Sequence, residues 1–122
     1  MFVDAHHHLW DLSKVDYPWL MERGATRFFG DPTPIQRNYL LDEHISKLEP
    51  FKFNASVHVQ VGAKDGWQEA KWIDQIATNS KNWKIVQVAF CDLAAPDFLD
   101  QINKLSKFTS FRGVRHIIGR AE

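Results

Sequence analysis

Four short apolar runs alternate with three segments of helical period, and that alternation constrains this chain more than any other feature. The runs fall near 2–8, 55–61, 84–92 and 113–118. Ala55 to Val61 and Ile85 to Val88 are rich in β-branched residues, and Asn54 and Gly62 bound the second run, as expected of strands. Between the runs, Leu40, Leu41, Ile45 and Leu48 recur at helical spacing, as do Ala70, Ile73, Ile76 and Ala77. Phe98, Leu99, Ile102 and Leu105 repeat the pattern. Helices are therefore expected over 39–48, 65–79 and 96–107, the first ended by Pro50 and the second capped by Asp65. Strands separated by single helices imply a parallel sheet built by crossover connections. The apolar character of the strands predicts that both sheet faces are covered. The fold class is α/β, four parallel strands alternating with three helices.

Such a chain is either an open doubly wound sheet or half of an eight-stranded barrel. The turn after the first strand argues against dinucleotide binding. It carries His6-His7-His8 and a loop over 9–38, where a Gly-rich turn opening a helix would be required. Trp10, Tyr17, Trp19, Phe28 and Phe29 in that loop need surfaces to pack on, so an ordered segment is expected, with a helical turn near 19–23. The 15 basic and 15 acidic residues cancel, which disfavours nucleic acid or an anionic membrane as a partner. Single Cys91 excludes an intrachain disulfide, and no run has the length of a membrane span or leader. The expectation is a cytoplasmic chain.

Sites in parallel α/β architectures lie at the C-terminal strand ends. There, His6 and His8 share one face of an extended strand, about 6.6 Å apart along the backbone, and His7 takes the other. Two such imidazoles can tilt onto one metal ion. His7 reads as a structural histidine, or one facing the helix layer, rather than as a third ligand. His58 and Gln60 form a polar face on the second strand, opposite Val57, Val59 and Val61. His58 reads as a core histidine, and Gln60 as orienting either a ligand or a neighbouring backbone. Arg115 and His116 are adjacent, so only one should point the way of the histidine pair. Cys91 reads as a small buried hydrophobe, His44 as solvent-facing, and Trp67 and Trp72 as packing residues.

Val3-Asp-Ala-His-His-His-Leu-Trp-Asp11 resembles the opening of the amidohydrolase-related family of (βα)8-barrel hydrolases, in its lactonase-like branch. Tyr17-Pro-Trp-Leu20, Ser56-Val-His-Val-Gln-Val61 and Phe111-Arg-Gly-Val-Arg-His116 fit the same pattern in order. The resemblance implies the N-terminal half of a (βα)8 TIM barrel. It further implies a hydrolase of small lactones or related C–O or C–N bonds. By its terms His6 and His8 are ligands to a divalent metal, Zn²⁺ first, while Trp10, Gln60 and Arg115 or His116 line a small-molecule pocket. The family barrel needs eight strands and ~250 residues. The remaining ligand histidines belong to its fifth and sixth strands and the acid/base aspartate to its eighth. A half-barrel leaves two sheet edges and an inner face bare, so a homo-oligomer or a separate C-terminal half is expected to cover them. Two other functions stay open: a non-catalytic half-barrel acting as an oligomerising or binding module, and a decarboxylase or hydratase on the same fold.

Overall fold

A computed structural model describes residues 1–119. Strands β1 (Phe2–His7), β2 (Phe53–Val59), β3 (Lys84–Phe90) and β4 (Phe111–Arg115) form one sheet in the order 1-2-3-4. Every neighbouring pair is parallel. Four α-helices interleave with them: α1 (Pro18–Met21), α2 (Leu41–Leu48), α3 (Gly66–Asn79) and α4 (Phe98–Leu105). The last three are the helices that the apolar periodicity marks. The single turn α1 lies in the loop after β1. No helix among the described residues is long and apolar enough to cross a membrane.

Local chemistry explains the boundaries. The Asp65 carboxylate accepts the backbone N–H groups of Trp67 and Gln68, two donors that the first turn of α3 would otherwise leave unpaired. Pro50 closes α2 into a 3-10 turn over Glu49–Phe51, and Lys52 takes a left-handed φ of 58° to swing the chain into β2.

All the covering helices lie on one side of the sheet. On β3, Ile85, Gln87 and Ala89 are buried, while the alternate residues Val86, Val88 and Phe90 are only half-buried. Ile85 packs with Ile73 of α3 and with Leu41, Ile45 and Leu48 of α2. Ala89 and Cys91 pack with Ala70 of α3 and with Phe98, Ile102 and Leu105 of α4. The opposite face is open, most plainly at β1, where Val3 is 46% exposed and Ala5 is exposed. The expectation of two covered faces is therefore corrected. Apolar strands here mark one helix-covered face and one face without helices, bare at β1 although Ala55 and Val59 of β2 are buried on it.

Several polar side chains buried on the helix side are hydrogen-bonded there. Gln87 donates to the Ala70 carbonyl at 2.9 Å and to the Ser110 hydroxyl at 2.8 Å, tying β3 to α3 and to the start of β4. Trp83 Nε1 donates to the Ser56 hydroxyl at 2.8 Å.

The long first loop is ordered and folds over the C-terminal end of β2. Trp10 and Tyr39 pin its base by exchanging backbone hydrogen bonds of 3.0 and 2.9 Å. Val15, Tyr17 and Leu20 form its buried core against Val61, Ala63 and Trp72. The Trp19 indole N–H donates to the Val61 carbonyl at 2.7 Å. The aromatic residues of this loop thus serve as its anchors, as their number in the sequence implies.

Candidate metal and substrate site

The registry of β1 against β2 slips between Asp4 and His7, and that irregularity decides where the histidines point. Asp4 and His7 both turn toward the helices, and His6 and His8 stay on the open face. The His6 and His8 rings meet edge to face with centroids 5.0 Å apart. Two imidazoles bound to one tetrahedral zinc at about 2.0–2.1 Å have centroids roughly 5 Å apart, so the pair needs little adjustment to hold a single ion. His8 Nδ1 lies 2.7 Å from the Val59 carbonyl oxygen. A carbonyl only accepts, so Nδ1 carries the proton and Nε2 keeps a bare lone pair. Burial holds His8 below the ordinary histidine range, with His58, His6 and Arg115 pushing the same way and the Val59 hydrogen bond opposing. A neutral imidazole is the ligating form.

These observations fit a divalent metal held through two nitrogens. They do not complete a centre. Among the described residues no group of three His, Cys, Asp or Glu side chains could hold a metal ion, and a catalytic zinc ordinarily takes three protein ligands.

The other sequence-derived candidates are not gathered around the pair, Arg115 excepted. Arg115 extends from the end of β4 across to β2, where its guanidinium donates to the Gln60 carbonyl. Gln60 itself is 3% exposed, and its amide oxygen accepts the Gly62 N–H at 2.8 Å, so its side chain shapes the turn after β2. His116 leans the other way: Nδ1 accepts the Leu93 N–H at 3.2 Å, lies 3.6 Å from Asp92, and its ring meets Phe90. Of these two neighbours, Arg115 is the one whose charge reaches His8. The Trp10 indole donates to the Arg37 carbonyl at 2.6 Å and its ring meets Tyr39. Cys91 is fully buried, and Trp67 is 44% exposed beside Phe108.

Behind the pair lies a buried polar layer, of which the sequence patterns mark His7 and His58 but not Asp4, His44 or Glu69. His7 stacks on His44 of α2 with centroids 4.2 Å apart. Burial pushes His7 down to about 2, and neither of its ring nitrogens has a hydrogen-bond partner. The expectation of a solvent-facing His44 is corrected: the ring is 7% exposed. Asp4 reaches its Nε2 at 2.9 Å and the Tyr39 hydroxyl its Nδ1 at 3.0 Å, so β1, the loop end and α2 are stitched by one chain of polar contacts. The helical period of α2 places His44 beside Leu40, Leu41 and Leu48, a signal that outweighs its polarity. On β2, His58 is 1% exposed, and its Nδ1 accepts the Leu9 N–H at 3.1 Å. Glu69, on α3 and 2% exposed, stands 3.9 Å from His58 Nε2 and accepts the Val61 N–H at 3.3 Å.

No protein-family model matches the chain, and no solved structure does so. The chain is similar to an uncharacterized protein, y4mH, of Sinorhizobium fredii (strain NBRC 101917 / NGR234), at 30% identity over 115 residues. That alignment covers 93% of this chain and 38% of the relative, so the chain spans well under half the length of the curated protein it matches.

Proposed function

We propose that this chain is the N-terminal half of a (βα)8-barrel hydrolase and supplies two metal ligands to a site that opens a small lactone or related C–O or C–N bond. The observation that carries the reading is the His6–His8 pair at the C-terminal end of β1, with His8 Nε2 left open by the Val59 hydrogen bond. The sheet supports it. Strands in the order 1-2-3-4 have no switch point, and their helices cover one face only, which is how a barrel wall differs from a doubly wound sheet. The bare face carrying His6 and His8 would then be barrel interior.

A divalent ion such as Zn²⁺ held there would supply Lewis acidity toward a carbonyl and a more acidic bound water. The chain's own residues supply orientation and charge. His8 stays neutral, held in register by Val59. Arg115, at a strand end with a fork of donors, suits a substrate carboxylate or the oxyanion that develops as the acyl carbon becomes tetrahedral. A second copy or a C-terminal portion would cover the open face and the edges of β1 and β4, and would bring the missing ligand and the proton-transfer group.

Elemental analysis of purified protein, with His6→Ala and His8→Ala as controls, tests the reading together with hydrolysis of an aldonolactone panel. Stoichiometric metal lost in both variants supports it. No metal, with hydrolysis unaffected by either substitution, refutes it. Turnover of β-keto acids with lactones untouched would instead favour a decarboxylase on this fold. The absence of a third ligand among the described residues favours one further reading, a non-catalytic half-barrel that binds or oligomerises, and metal-free protein with no turnover would select it.

A further inference from the structure

Among the buried groups without a role in that reading are the His58 imidazole and the Glu69 carboxylate. Neither is the kind of residue a core accepts without cause, since a buried carboxylate or an unpartnered ring nitrogen costs desolvation that nothing apolar would incur. The geometry around His58 settles its protonation pattern from both sides. Its Nδ1 accepts the Leu9 N–H at 3.1 Å and must therefore be bare. Its Nε2 then carries the proton, and that N–H has no hydrogen-bond partner. Glu69 Oε1 stands 3.9 Å from that nitrogen. Glu69 is in turn fixed by the Val61 N–H, at 3.3 Å to one carboxylate oxygen and 3.4 Å to the other. The Tyr17 hydroxyl, fully buried in the first loop, faces the same carboxylate without closing a hydrogen bond, and burial and then Glu69 raise it above its ordinary range.

The donor that His58 holds is the backbone N–H of the residue after His8. The acceptor that holds His8 is the carbonyl of Val59, the residue after His58. The two histidines thus clamp each other's strands reciprocally, with rings edge to face at 6.4 Å. A shift of His58 moves Leu9, and with it the His8 backbone and the Nδ1–H to Val59 bond that decides which nitrogen His8 presents.

We propose that Glu69 and His58 are positioning residues for His8: the Leu9 N–H at Nδ1 and the Glu69 carboxylate facing Nε2 together keep His58 in its Nε2–H tautomer, and His58 locks the strand end so that His8 presents a bare Nε2 to the open face. This rests on the metal reading only for what that nitrogen binds. The tautomers themselves can be observed without any metal. The reach of the arrangement is wider than the pair, because Glu69 comes from α3 and Tyr17 from the first loop, so two elements far apart in sequence are tied to the same strand end. Outer partners of this kind typically change metal affinity 10–100-fold when removed.

Nitrogen-15 NMR of the metal-free full chain, read through two- and three-bond couplings in the imidazole rings, reports each tautomer directly. The expected result is Nδ1–H for His8 and Nε2–H for His58. Glu69→Gln keeps the shape and an acceptor for Val61 but removes the charge, and it should mix the two tautomers of His58. Zinc titration should then show ~10–100-fold weaker binding than wild type, with thermal melts confirming a folded variant. His8 found as Nε2–H overturns the proposal, whatever the variants do. So does a Glu69→Gln protein with unmixed tautomers and wild-type zinc affinity. Wild-type protein that binds no zinc but shows both expected tautomers refutes the metal reading and upholds the positioning role.

Discussion

His7 should make the native state acid-sensitive, and replacing it should remove a calculable part of that sensitivity. The ring is 6% exposed, stacked on His44, and held far below the ordinary histidine value, at about 2, first by burial and then by the neighbouring histidines. The native state therefore leaves His7 neutral throughout pH 5–7, while the unfolded chain protonates it with an ordinary pKa of about 6.5. A histidine depressed on folding contributes stability that is present above the unfolded pKa and is lost as pH falls below it. Between pH 7 and pH 5 the unfolded chain gains most of one proton at this position, worth about 2 kcal/mol. His8 and His44 are shifted the same way and add to the slope. His7→Phe keeps a flat ring against His44 and removes only the titration and two buried nitrogens that lack partners. Urea unfolding of wild type and His7→Phe, each at pH 7.0 and 5.0 in a chelator, gives four free energies. The variant should lose about 2 kcal/mol less than wild type over that interval. It should also be the more stable at pH 7, since each unsatisfied buried polar atom costs ~1–3 kcal/mol. Equal losses in the two proteins would show that His7 does not carry this acid sensitivity.

Three further outcomes follow from the packing. Ile73 is fully buried between α3 and β3, so Ile73→Ala should cost ~2–5 kcal/mol in the same unfolding assay. Gly66 opens α3 with Phe90 against it: an added Cβ would lie 2.9 Å from both the Cβ and a ring carbon of Phe90. Gly66→Ala should therefore destabilise by ~1–3 kcal/mol through overpacking, despite alanine's better helix propensity, and a rise in melting temperature would contradict this. Asp65→Ala removes the side-chain cap from Trp67 and Gln68 and should cost ~1 kcal/mol, read as a lower urea midpoint with an unchanged slope.

What the sequence discloses about this fold follows from which forces leave a periodic trace. Apolar periodicity marks α2, α3 and α4 because each buries one stripe against the sheet. The Asp65 cap is legible because an acidic residue preceding a helical pattern has few other uses. Strand ends are less legible. The second run reads as 55–61, whereas β2 spans Phe53–Val59, because the chain leaves the sheet after the Gln60 N–H bond to Val88 and the Gln60 side chain turns it at Gly62. One-sidedness leaves no trace at all. Val86 and Val88 look the same in sequence whether a helix or nothing covers them.

The histidines divide along the same line. His6 and His8 are visible as a pair from their spacing, and the slip in β1 registry keeps them together on the open face. Sequence spacing could not anticipate that Asp4 and His7 would share the helix side with His44, since the slip is a property of pairing with β2. Glu69 illustrates the limit most clearly. Within α3 it sits between Gln68 and Ala70, and only the approach of β2 turns an ordinary helix glutamate into the carboxylate behind His58.

If His6 and His8 ligate one divalent ion as proposed, X-ray absorption at the zinc edge, on the chain loaded with one equivalent of zinc, should show it. Two imidazole nitrogens at about 2.0–2.1 Å per zinc are expected, absent from the His6→Ala, His8→Ala double variant. A zinc environment free of imidazole, or one unchanged in the double variant, would contradict the proposal.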